Sequence, residues 1–523
     1  MSQLEPVLVA GGWRPAAVTS TYQAFDPTTA AVRNTVWPIS GWADVEAALD
    51  AAAAAHAQLA TRPVDDLARF LERYAQRLEV RAAELVAAAH AETGLAVVPR
   101  LQDSELPRML DTLRQAAAAA REETWRMAML DTRANIRVAC FGIGPVVIFP
   151  PANFPLAYGC LTGGDFAAAI AAGNPVIAKA HPGHPSVSKL AAEEAVAALA
   201  ETGLPTATVQ LLHGLENTDG ERLVADRRVG ATGFTGSEVA GRKLFTAASA
   251  AGKVIWVEMG SINPVVLLPG SVAERGDEIA GELTASVTSS AGQFCTKPGL
   301  VFLLADVASD AFIHKVAEQF AAVGPQVLLG EGGCRRLSAG IGDLVAAGAT
   351  LVAGAAAASG PATHAPTLLA IPAAELIVRP DKFLVEAFGN ATLVVRCASL
   401  GELAQAVACC HGSLGASLYS AHDGRDDAGF RELAPLLVAR SGRIVENRMP
   451  TGLTVTPPMQ HGGPWPSAAP PFFSAVGLPW SILRFARRIC FDGWTEHRLP
   501  ASVRDAPPAG QPWRYIDRAW TRG

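Results

Sequence analysis

Hydrophobic and polar positions alternate with two different periods along this chain, and the two periods mark different regions. In segments 43–59 and 64–91, alanine, leucine, glutamate and arginine recur with helical spacing, which predicts long surface helices before any strong strand. Between residues 145 and 257, short apolar runs alternate with helical patterns. This alternation predicts an α/β fold with a parallel, doubly wound sheet, which binds ligands at the carboxyl ends of its strands.

Strands and helices alternate regularly across this predicted sheet. In chain order they are strand 145–149, helix 164–172, strand 175–178, helix 187–200, strand 208–212, helix 220–225, strand 230–234, helix 239–251 and strand 254–257. Segment 124–141 alternates like a hairpin whose turn lies at 131–135, and a second alternating region extends over 263–439. The residues from 441 onward are rich in Pro, Gly and Trp, which favours a tail that wraps over a neighbouring domain or subunit.

Length and composition exclude several classes of protein. The 523 residues exceed what one hydrophobic core usually fills, so we expect two large domains or one interleaved pair. Only 18% of the residues are charged, 50% are apolar and the net charge is -6, which indicates neither a nucleic-acid-binding surface nor a disordered chain. No apolar run reaches the roughly 18 residues of a membrane span, and residues 1–13 lack the pattern of a signal peptide. We therefore expect a cytoplasmic protein with no nucleic-acid or membrane partner.

The eight cysteines form neither a disulfide framework nor a metal-binding pattern. None belongs to a CxxC pair or has histidines at zinc spacing. Reduced thiols and no metal site are therefore the expectation. The cysteines are residues 140, 160, 295, 334, 397, 409, 410 and 490.

Cys295 has the sequence surroundings of a reactive thiol. In segment 290–299, small residues precede it, Pro and Gly follow it, and Lys297 stands two positions away. A thiol becomes a nucleophile when helix dipoles or nearby cations stabilise its thiolate. A packed, unreactive thiol fits the same pattern, so Cys295 by itself is one candidate nucleophile.

Two polar residues follow apolar strands at the edge where such sheets bind ligands. Glu258 comes directly after strand 254–257, and Asn153 lies in the proline-rich turn after strand 145–149. A partly buried glutamate can serve as general base for water. The amide N–H of Asn153 and the backbone N–H of Cys295 can form an oxyanion hole. A capping or salt-bridged glutamate and a turn asparagine are the alternatives.

Two further strand ends suit a phosphorylated ligand. The turn 234–241 opens a helix after strand 230–234, so its backbone amides can face a pyrophosphate. It lacks the G-x-G-x-x-G fingerprint, and a bare turn of this kind is a weak signal. Lys179 ends strand 175–178, where its ammonium can hold ribose hydroxyls or a ribose phosphate; a solvated lysine is the alternative.

In this order, the segments resemble the motifs of the aldehyde dehydrogenase superfamily, and the resemblance covers residues 22–500. Segment 292–295 is similar to the motif of the catalytic cysteine, 258–260 to that of the general base, and Asn153 to the oxyanion asparagine. The turn 234–237 is similar to the phosphate-binding turn, and 386–389 to the motif that holds the nicotinamide ribose. The resemblance implies cofactor contacts at Pro151, Lys179, His181, Gly236, Ser237, Glu386 and Phe388.

The resemblance also implies an aldehyde dehydrogenase-like fold with three parts. Residues 1–123 and 140–258 would form a Rossmann-type cofactor-binding domain, and residues 259–440 an α/β catalytic domain. A small β oligomerisation arm would consist of a hairpin, 124–139, and a C-terminal wrapping segment, 441–523. Such proteins are homodimers or tetramers built from dimers, so we expect a homo-oligomer.

Within the superfamily, three segments are similar to the branch that accepts NADP. They are 177–185, 259–264 and 461–466, and that branch contains α-ketoglutaric semialdehyde (2,5-dioxopentanoate) dehydrogenases and long-chain fatty aldehyde dehydrogenases. Pro182 stands where many NAD-using relatives carry a glutamate that binds the adenosine ribose, and its absence removes repulsion against a 2′-phosphate. We therefore expect NADP as cofactor, with NAD as the second possibility. Asn390, Lys297 and segment 468–478 depart from the pattern of the branch.

The resemblance implies oxidation of an aldehyde to a carboxylic acid through a thiohemiacetal and a thioester on Cys295. The substrate could be a semialdehyde such as 2,5-dioxopentanoate, or a long-chain or aromatic aldehyde. Arg108 and Arg114 on a predicted helix are candidates for binding a substrate carboxylate, although both also fit surface arginines, and Phe154 is a candidate substrate contact. Acyl transfer to coenzyme A is a second hypothesis, which Glu258 disfavours. A cofactor-binding protein without activity is a third, against which the intact Cys, Glu and Asn set argues.

Overall fold

The structure is a computed structural model and describes residues 4–355, 357–506 and 508–522. Over these ranges, fifteen α-helices form, together with short single helical turns and an irregular helical segment at Val97–Glu105. The α-helices are α1 (Trp42–Leu59), α2 (Val64–Val80), α3 (Ala82–Thr93), α4 (Leu106–Glu122), α5 (Gly164–Ala171), α6 (Pro185–Thr202), α7 (Asn217–Val224), α8 (Glu238–Ala250), α9 (Pro269–Thr288), α10 (Val307–Val323), α11 (Glu331–Ala346), α12 (Ala373–Val378), α13 (Pro380–Phe383), α14 (Leu400–Ala408) and α15 (Asp427–Val438).

The strands of the same ranges form three large sheets and two small ones. They are β1 (Val7–Val9), β2 (Gly12–Arg14), β3 (Val18–Asp26), β4 (Ala31–Ser40), β5 (Met129–Asp131), β6 (Ile136–Gly142), β7 (Val146–Phe149), β8 (Val176–Lys179), β9 (Val209–Leu212), β10 (Ala231–Thr235), β11 (Val254–Glu258), β12 (Pro264–Leu267), β13 (Leu300–Leu304), β14 (Gln326–Val327), β15 (Thr350–Ala353), β16 (Thr363–His364), β17 (Thr367–Pro372), β18 (Ala391–Cys397), β19 (Ser413–Tyr419), β20 (Ser441–Glu446), β21 (Ala468–Ala469), β22 (Ala486–Asp492), β23 (Trp513–Ile516) and β24 (Ala519–Arg522).

The first large sheet is the predicted doubly wound sheet. Its strand order is β2-β1-β9-β8-β7-β10-β11-β21, and the five strands from β7 to β11 are parallel. Helices α5, α6, α7 and α8 connect these strands in turn, as the alternation of apolar runs and helical patterns predicts. The predicted α/β fold class is therefore confirmed.

Two predictions for the N-terminal region were wrong. The hairpin of β3 and β4 precedes the long helices, although no strong strand was expected there. Most side chains of β3 are exposed, so the strand lacks the apolar alternation that would have revealed it. The predicted helix 64–91 is two helices that meet at Arg81, whose guanidinium donates to Glu84 and Glu193.

The second large sheet supplies the other half of the core. Its order is β15-β17-β18-β13-β12-β19-β20, and every neighbouring pair is parallel except β15 with β17. Successive side chains of a strand point to opposite faces. Accordingly, Val265 packs with α9 and α10 on one face, and Val266 packs with α11, α12, α14 and α15 on the other.

The tail contributes strands to all three large sheets. Strand β20 completes the second sheet, β21 pairs with β11 of the first, and the third sheet has the order β22-β6-β5-β23-β24. The predicted limit at residue 440 therefore does not separate the second sheet from the tail. The predicted hairpin is present as β5 and β6 but begins at Met129, because Thr124–Arg126 forms a single helical turn.

Tyr74 packs helix α2 against helices α5 and α6, which connect strands of the first sheet. Tyr74 of α2 is fully buried, and its hydroxyl lies 3.2 and 3.1 Å from the carbonyl oxygens of Leu161 and Ala191, which share its one proton. Its ring packs edge-on against Phe166 of α5, so α2, α5 and α6 are held together.

Throughout the described ranges, no helix has the length and apolar character needed to span a bilayer.

Candidate active site

The carboxyl ends of β7, β10 and β11 lie next to one another at one edge of the first sheet. Phe149 of β7 pairs with Phe234 of β10, and Thr235 of β10 pairs with Glu258 of β11. The strand order reverses between β7 and β10, because β8 and β9 continue on one side and β11 on the other. Such a switch point leaves a crevice for ligands, and the turn that contains Asn153 follows β7 at this point.

A strained backbone segment leads into Cys295. Just after α9, Ser290, Ala291 and Gly292 have positive φ values of 48°, 53° and 68°, a conformation that non-glycine residues adopt rarely and that is often found at functional sites. A Cβ atom on Gly292 would lie 2.3 Å from the carbonyl oxygen of Gly389, so only glycine fits there. The segment is therefore packed directly against the loop that contains Gly389.

Cys295, Glu258 and His461 meet in the crevice although they come from three distant parts of the chain. The Sγ of Cys295 lies 3.3 Å from the Nε2 of His461, and the same Nε2 lies 3.3 Å from the Oε1 of Glu258. The three side-chain heteroatoms lie within 4.8 Å of one another. Glu258 and His461 are buried, whereas Cys295 keeps part of its surface accessible. A thiol, an imidazole and a carboxylate this close can exchange a proton.

The surroundings of Cys295 favour the protonated thiol. Burial raises the pKa of the Cys295 thiol well above its ordinary value, and the Glu258 carboxylate raises that pKa further, while Arg108 lowers it more weakly. Formation of the thiolate therefore requires a proton acceptor in contact, and His461 and Glu258 are the groups in reach. The Oε2 of Glu258 is buried and has no hydrogen-bond partner among the residues that the structure describes, so it can accept a hydrogen bond from a ligand or water.

Asn153 is fixed beside the segment that leads to the thiol. Its side-chain Nδ2 donates to the carbonyl oxygen of Gln293 at 2.9 Å, and its own carbonyl oxygen accepts from Nη2 of Arg100 at 2.8 Å. Arg100 is paired at 2.5 Å with the buried Glu105, which also accepts two backbone N–H groups of the turn after Asn153. An amide nitrogen carries two protons, so the side chain of Asn153 keeps one donor for a further acceptor.

The turn after β10 places a helix N-terminus at the switch point. The side chain of Ser237 caps α8 by accepting from the N–H of Ala240 at 3.4 Å. The N–H of Gly236 donates to the carbonyl oxygen of Glu258 at 3.0 Å, which ties this turn to the end of β11. Free N–H groups and the helix dipole make such an N-terminus suitable for a phosphate.

A cavity of about 510 Å³ lies beside the carboxyl end of β8. Lys179, Pro182 and Arg335 line it, and burial lowers the pKa of Lys179 to about 8. Glu92 lines the same cavity, but both of its oxygens accept hydrogen bonds from Ser186. Arg335 is paired with Glu331 of the same cavity at 3.3 Å. The cavity therefore contains two cationic side chains, one of which is already paired with a carboxylate.

Two neutral histidines join the turns after β7 and β8. The rings of His181 and His184 stack with centroids 5.2 Å apart. The Nε2 of His184 donates to the carbonyl oxygen of Pro151 at 2.9 Å, and the Nδ1 of His181 accepts from the N–H of Gly183 at 3.0 Å. Burial lowers the pKa of both imidazoles, to about 4 for His184. The structure thus brings Pro151 and His181 together through His184.

Glu386 lies beside the backbone that follows Glu258. Its Oε1 accepts from the N–H of Ser261 at 3.1 Å, and a Cβ atom on Gly260 would lie 2.8 Å from its Oε2. Burial raises the pKa of the Glu386 carboxyl to about 7. Phe388, in the same loop, remains partly exposed.

Comparison with known proteins agrees with this arrangement. The family model described as "Aldehyde dehydrogenase family" matches residues 13–464. The chain belongs to the aldehyde dehydrogenase family. It is accordingly an oxidoreductase that oxidises an aldehyde, and enzymes of this family use NAD or NADP.

Two curated relatives and one solved structure show how far the likeness extends. The chain is 36% identical to alpha-ketoglutaric semialdehyde dehydrogenase 2 of Azospirillum brasilense over 522 residues, 98% of each chain. It is 31% identical to the alpha-ketoglutaric semialdehyde dehydrogenase of Acinetobacter baylyi over 509 residues, 95% of each chain. The NADP-dependent glyceraldehyde-3-phosphate dehydrogenase of Bacillus halodurans C-125, complexed with NADP, has a TM-score of 0.77 at 20% identity, covering 94% of this chain and 99% of that one.

Aromatic rings and Arg108 lie around Cys295 of this aldehyde dehydrogenase. Phe154 packs edge-on against Phe294, the residue before Cys295, with ring centroids 5.6 Å apart. Arg108 donates to the hydroxyl of Tyr158 and lies 4.7 Å above its ring. Two of the predicted substrate residues, Phe154 and Arg108, are therefore brought to the site.

Arg114, the third predicted substrate residue, is not brought to the site. It is paired with Glu79 at 2.6 Å, and both side chains are about half exposed. Six residues separate Arg108 from Arg114 on α4, so the two side chains leave different faces of the helix. Arg114 is therefore a surface arginine, which was the alternative interpretation of the sequence.

His461 is the one member of the cluster that sequence reasoning missed. Its only signal was a place in segment 461–466, which was noted for its resemblance alone. The divergent segment 468–478 positions it, because Ser474 accepts from the N–H of His461 at 3.0 Å and Ala475 donates to its carbonyl oxygen at 2.8 Å. The same segment forms β21, in which Ala468 pairs with Glu258.

Lys297 and Asn390, the other departures from the branch pattern, stabilise the loop that contains Glu386. The Nζ of Lys297 donates to the carbonyl oxygens of Ala387 and Ala391 at 3.1 and 2.6 Å, and burial lowers its pKa to about 8. The side chain of Asn390 donates to the carbonyl oxygen of His364 at 2.9 Å. Both residues therefore connect loops around the site by hydrogen bonds to buried backbone.

Proposed function

We propose that this aldehyde dehydrogenase oxidises a semialdehyde that carries a carboxylate, with NADP as cofactor and with Cys295, Glu258 and Asn153 as catalytic residues. The observation that carries the proposal is the shared contact of a thiol and a carboxylate with the Nε2 of His461, at 3.3 Å each. A nucleophile, a general base and a proton relay are thereby combined in one crevice at the switch point of the sheet.

The reaction begins with attack of Cys295 on the aldehyde carbon. The thiol proton passes to His461 or Glu258, and the Sγ then forms a bond to the carbonyl carbon. The carbonyl oxygen becomes negatively charged. The free N–H of the Asn153 amide, together with the backbone N–H of Cys295, donates to this oxygen, and removing one such donor typically slows a reaction about 10²–10³-fold.

The residues at the switch point fit a nicotinamide dinucleotide. The N-terminus of α8 at Gly236 and Ser237 suits its pyrophosphate, Lys179 suits the adenosine ribose, and Glu386 suits the hydroxyls of the nicotinamide ribose. When bound, the nicotinamide accepts the hydride that leaves the substrate carbon. Because the pKa of Glu386 is about 7, its carboxyl can both accept and donate hydrogen bonds near neutral pH.

Release of the acid requires water at the thioester on Cys295. The Oε2 of Glu258 is buried and has no protein partner in the described ranges, so it is the natural acceptor for a proton of that water. His461 holds the other oxygen of the carboxylate. Activation of water at this position favours hydrolysis over acyl transfer to coenzyme A.

Arg108 is the residue we assign to the substrate carboxylate. It forms no ion pair within the described ranges and is aligned by the Tyr158 hydroxyl beside Phe154. A guanidinium binds a carboxylate through two parallel hydrogen bonds. The names of the two relatives, at 36% and 31% identity, point to the same kind of molecule, a short semialdehyde such as 2,5-dioxopentanoate.

The preference for NADP rests on the cavity beside β8. Pro182 supplies no carboxylate there, and Lys179 supplies positive charge for a ribose 2′-phosphate, as does Arg335, which is paired with Glu331. Equal or better turnover with NAD would contradict this part of the proposal.

A homo-oligomer is also proposed. Strand β20 ends the second sheet and β22 ends the third, and neither outer edge is paired by another described strand. Unpaired strand edges are suited to pairing with another chain. Light scattering of the purified protein should give at least twice the chain mass of 54.4 kDa, and a monomer would contradict the proposal.

A panel of aldehydes tests substrate and mechanism together. We expect 2,5-dioxopentanoate to have a higher kcat/KM with NADP than an uncharged aldehyde of similar length, and no acyl-coenzyme A to form when coenzyme A is added. Arg108→Gln should raise the KM for the carboxylated substrate about tenfold or more, the value of one lost charge-assisted contact. Arg114→Gln, a matched change on the same helix, should not alter it. Equal KM values in the two variants would contradict the role of Arg108.

A further inference from the structure

We infer that the cluster of Cys295, Glu258 and His461 is also a binding site for a zinc-type divalent cation, which blocks the enzyme reversibly. The inference extends the proposed function, since it uses the same three side chains for a different ligand. They form the only group of three or more possible metal ligands that converge among the described residues. No spacing pattern in the chain indicates this site, because the three residues lie far apart and lack zinc spacing.

Two of the three distances in the cluster are close to those of a tetrahedral zinc site. Zinc binds sulfur at about 2.3 Å and nitrogen or carboxylate oxygen at about 2.0–2.2 Å, which puts tetrahedral ligand atoms about 3.3–3.6 Å apart. The Sγ–Nε2 and Nε2–Oε1 distances are both 3.3 Å, and all three atoms lie within 4.8 Å of one another. A cation can therefore be coordinated with only a small movement of the Cys295 and Glu258 side chains.

The chemistry of the donors favours zinc, cadmium or cobalt over magnesium or calcium. A thiolate and an imidazole are ligands for the former cations, whereas magnesium and calcium prefer oxygen. A thiolate and a carboxylate together balance the charge of a divalent cation inside a buried site. Three protein ligands leave the fourth position open for water or a ligand carboxylate.

Occupation of this site would stop the reaction at its first step. Coordination draws electron density from the sulfur and lowers its nucleophilicity, and the bound Glu258 and His461 are no longer free to accept a proton. Metal binding releases the thiol proton to water, and a chelator reverses the inhibition because the thiolate takes up a proton again when the cation leaves. Activity would then depend on the free concentration of thiophilic metal.

Titration with Co²⁺ measures metal binding at this site without requiring catalysis. Cobalt replaces zinc in tetrahedral sites and gives a thiolate-to-metal charge-transfer band only when sulfur is a ligand. We expect one equivalent of Co²⁺ per chain, the charge-transfer band in the unmodified protein, and its displacement by Zn²⁺. Zn²⁺ should abolish aldehyde oxidation in parallel, and EDTA should restore it.

Variants separate this site from adventitious binding. Cys295→Ala should remove the band, and His461→Gln and Glu258→Gln should each weaken Co²⁺ binding at least about tenfold. The matched controls Cys490→Ala and His314→Gln, which alter an exposed thiol and an exposed histidine, should bind Co²⁺ as the unmodified protein does. A band that survives in Cys295→Ala, or an affinity unchanged in His461→Gln, overturns the three-ligand site.

The two proposals fail in different measurements. Aldehyde oxidation by the metal-free protein tests the catalytic role of Cys295, and persistence of that activity in Cys295→Ala would contradict the proposed function alone. The cobalt spectrum tests coordination alone, because it requires neither substrate nor cofactor. A protein that is active but shows no cobalt–thiolate band would refute the metal site and leave the mechanism intact.

Discussion

Replacing His461 by glutamine should slow the first chemical step of the reaction. The Nε2 of His461 lies 3.3 Å from the Sγ of Cys295, and the pKa of that thiol is raised well above its ordinary value by burial and by Glu258. A thiol whose pKa lies above its ordinary value is almost entirely protonated at neutral pH. His461, in contact with the thiol, is therefore the group that we expect to accept its proton first.

The size of the effect follows from what remains after the substitution. A lost general base typically costs about 10²–10⁴-fold in rate. The Glu258 carboxylate stays within 4.8 Å of the thiol and can still accept the proton, so we expect a loss near the lower end, about 10²-fold. Because a raised pKa means that the thiolate appears only as pH increases, the variant should also recover activity steadily toward alkaline pH.

Two assays isolate this step from the rest of the reaction. Stopped-flow measurement of the NADPH burst reports acylation of Cys295, and the rate of alkylation by iodoacetamide reports its thiolate without any substrate. Both should fall in His461→Gln and should stay unchanged in His314→Gln, a change at an exposed histidine. A burst and an alkylation rate equal to those of the unmodified enzyme would refute the relay.

Three further predictions concern residues around the cluster. Glu258→Gln should keep the NADPH burst but slow steady-state turnover about 10²–10⁴-fold, and loss of the burst would assign Glu258 to acylation instead. Lys297→Met leaves the buried carbonyl oxygens of Ala387 and Ala391 without their donor; thermal melting should show a loss of about 1–3 kcal/mol, and an unchanged Tm would contradict its structural role. Glu386 has a raised pKa of about 7, so it gains its negative charge as pH rises through that value, and the KM for NADP should vary with pH across it. Glu386→Gln should flatten that dependence, and an identical pH profile would remove Glu386 from the cofactor site.

Most of the first sheet could be predicted from the sequence because its strands are short, apolar and separated by helices. The five strands β7 to β11 follow the predicted order, and Asn153 and Glu258 lie at the strand ends where such sheets bind ligands. The exposed hairpin of β3 and β4 escaped notice, because most of β3 faces solvent and carries no apolar alternation. Pattern reading thus finds buried strands far better than exposed ones.

Only some of the site residues could be predicted from the sequence, and the reason differs from that for the strands. Cys295 and Glu258 lie within recognisable local motifs, whereas His461 is placed by contacts with Ser474 and Ala475 in a tail without regular periodicity. Arg114 lies on a face of α4 that is turned away from the site, where it forms an ion pair with Glu79. The sequence alone does not show which face of the helix borders the site. Residues positioned by long-range contacts leave no spacing signal in the chain.

The C-terminal tail positions both Glu258 and His461. Strand β21 extends the first sheet directly beside Glu258, through the pairing of Ala468 with that residue. A few residues away, the same segment holds His461 by two backbone contacts. Glu258 and His461 are therefore both fixed by one short stretch of chain that has little core of its own. Substitutions in this stretch can alter the positions of both side chains, and with them the proposed proton relay, without changing Cys295, Glu258 or Asn153.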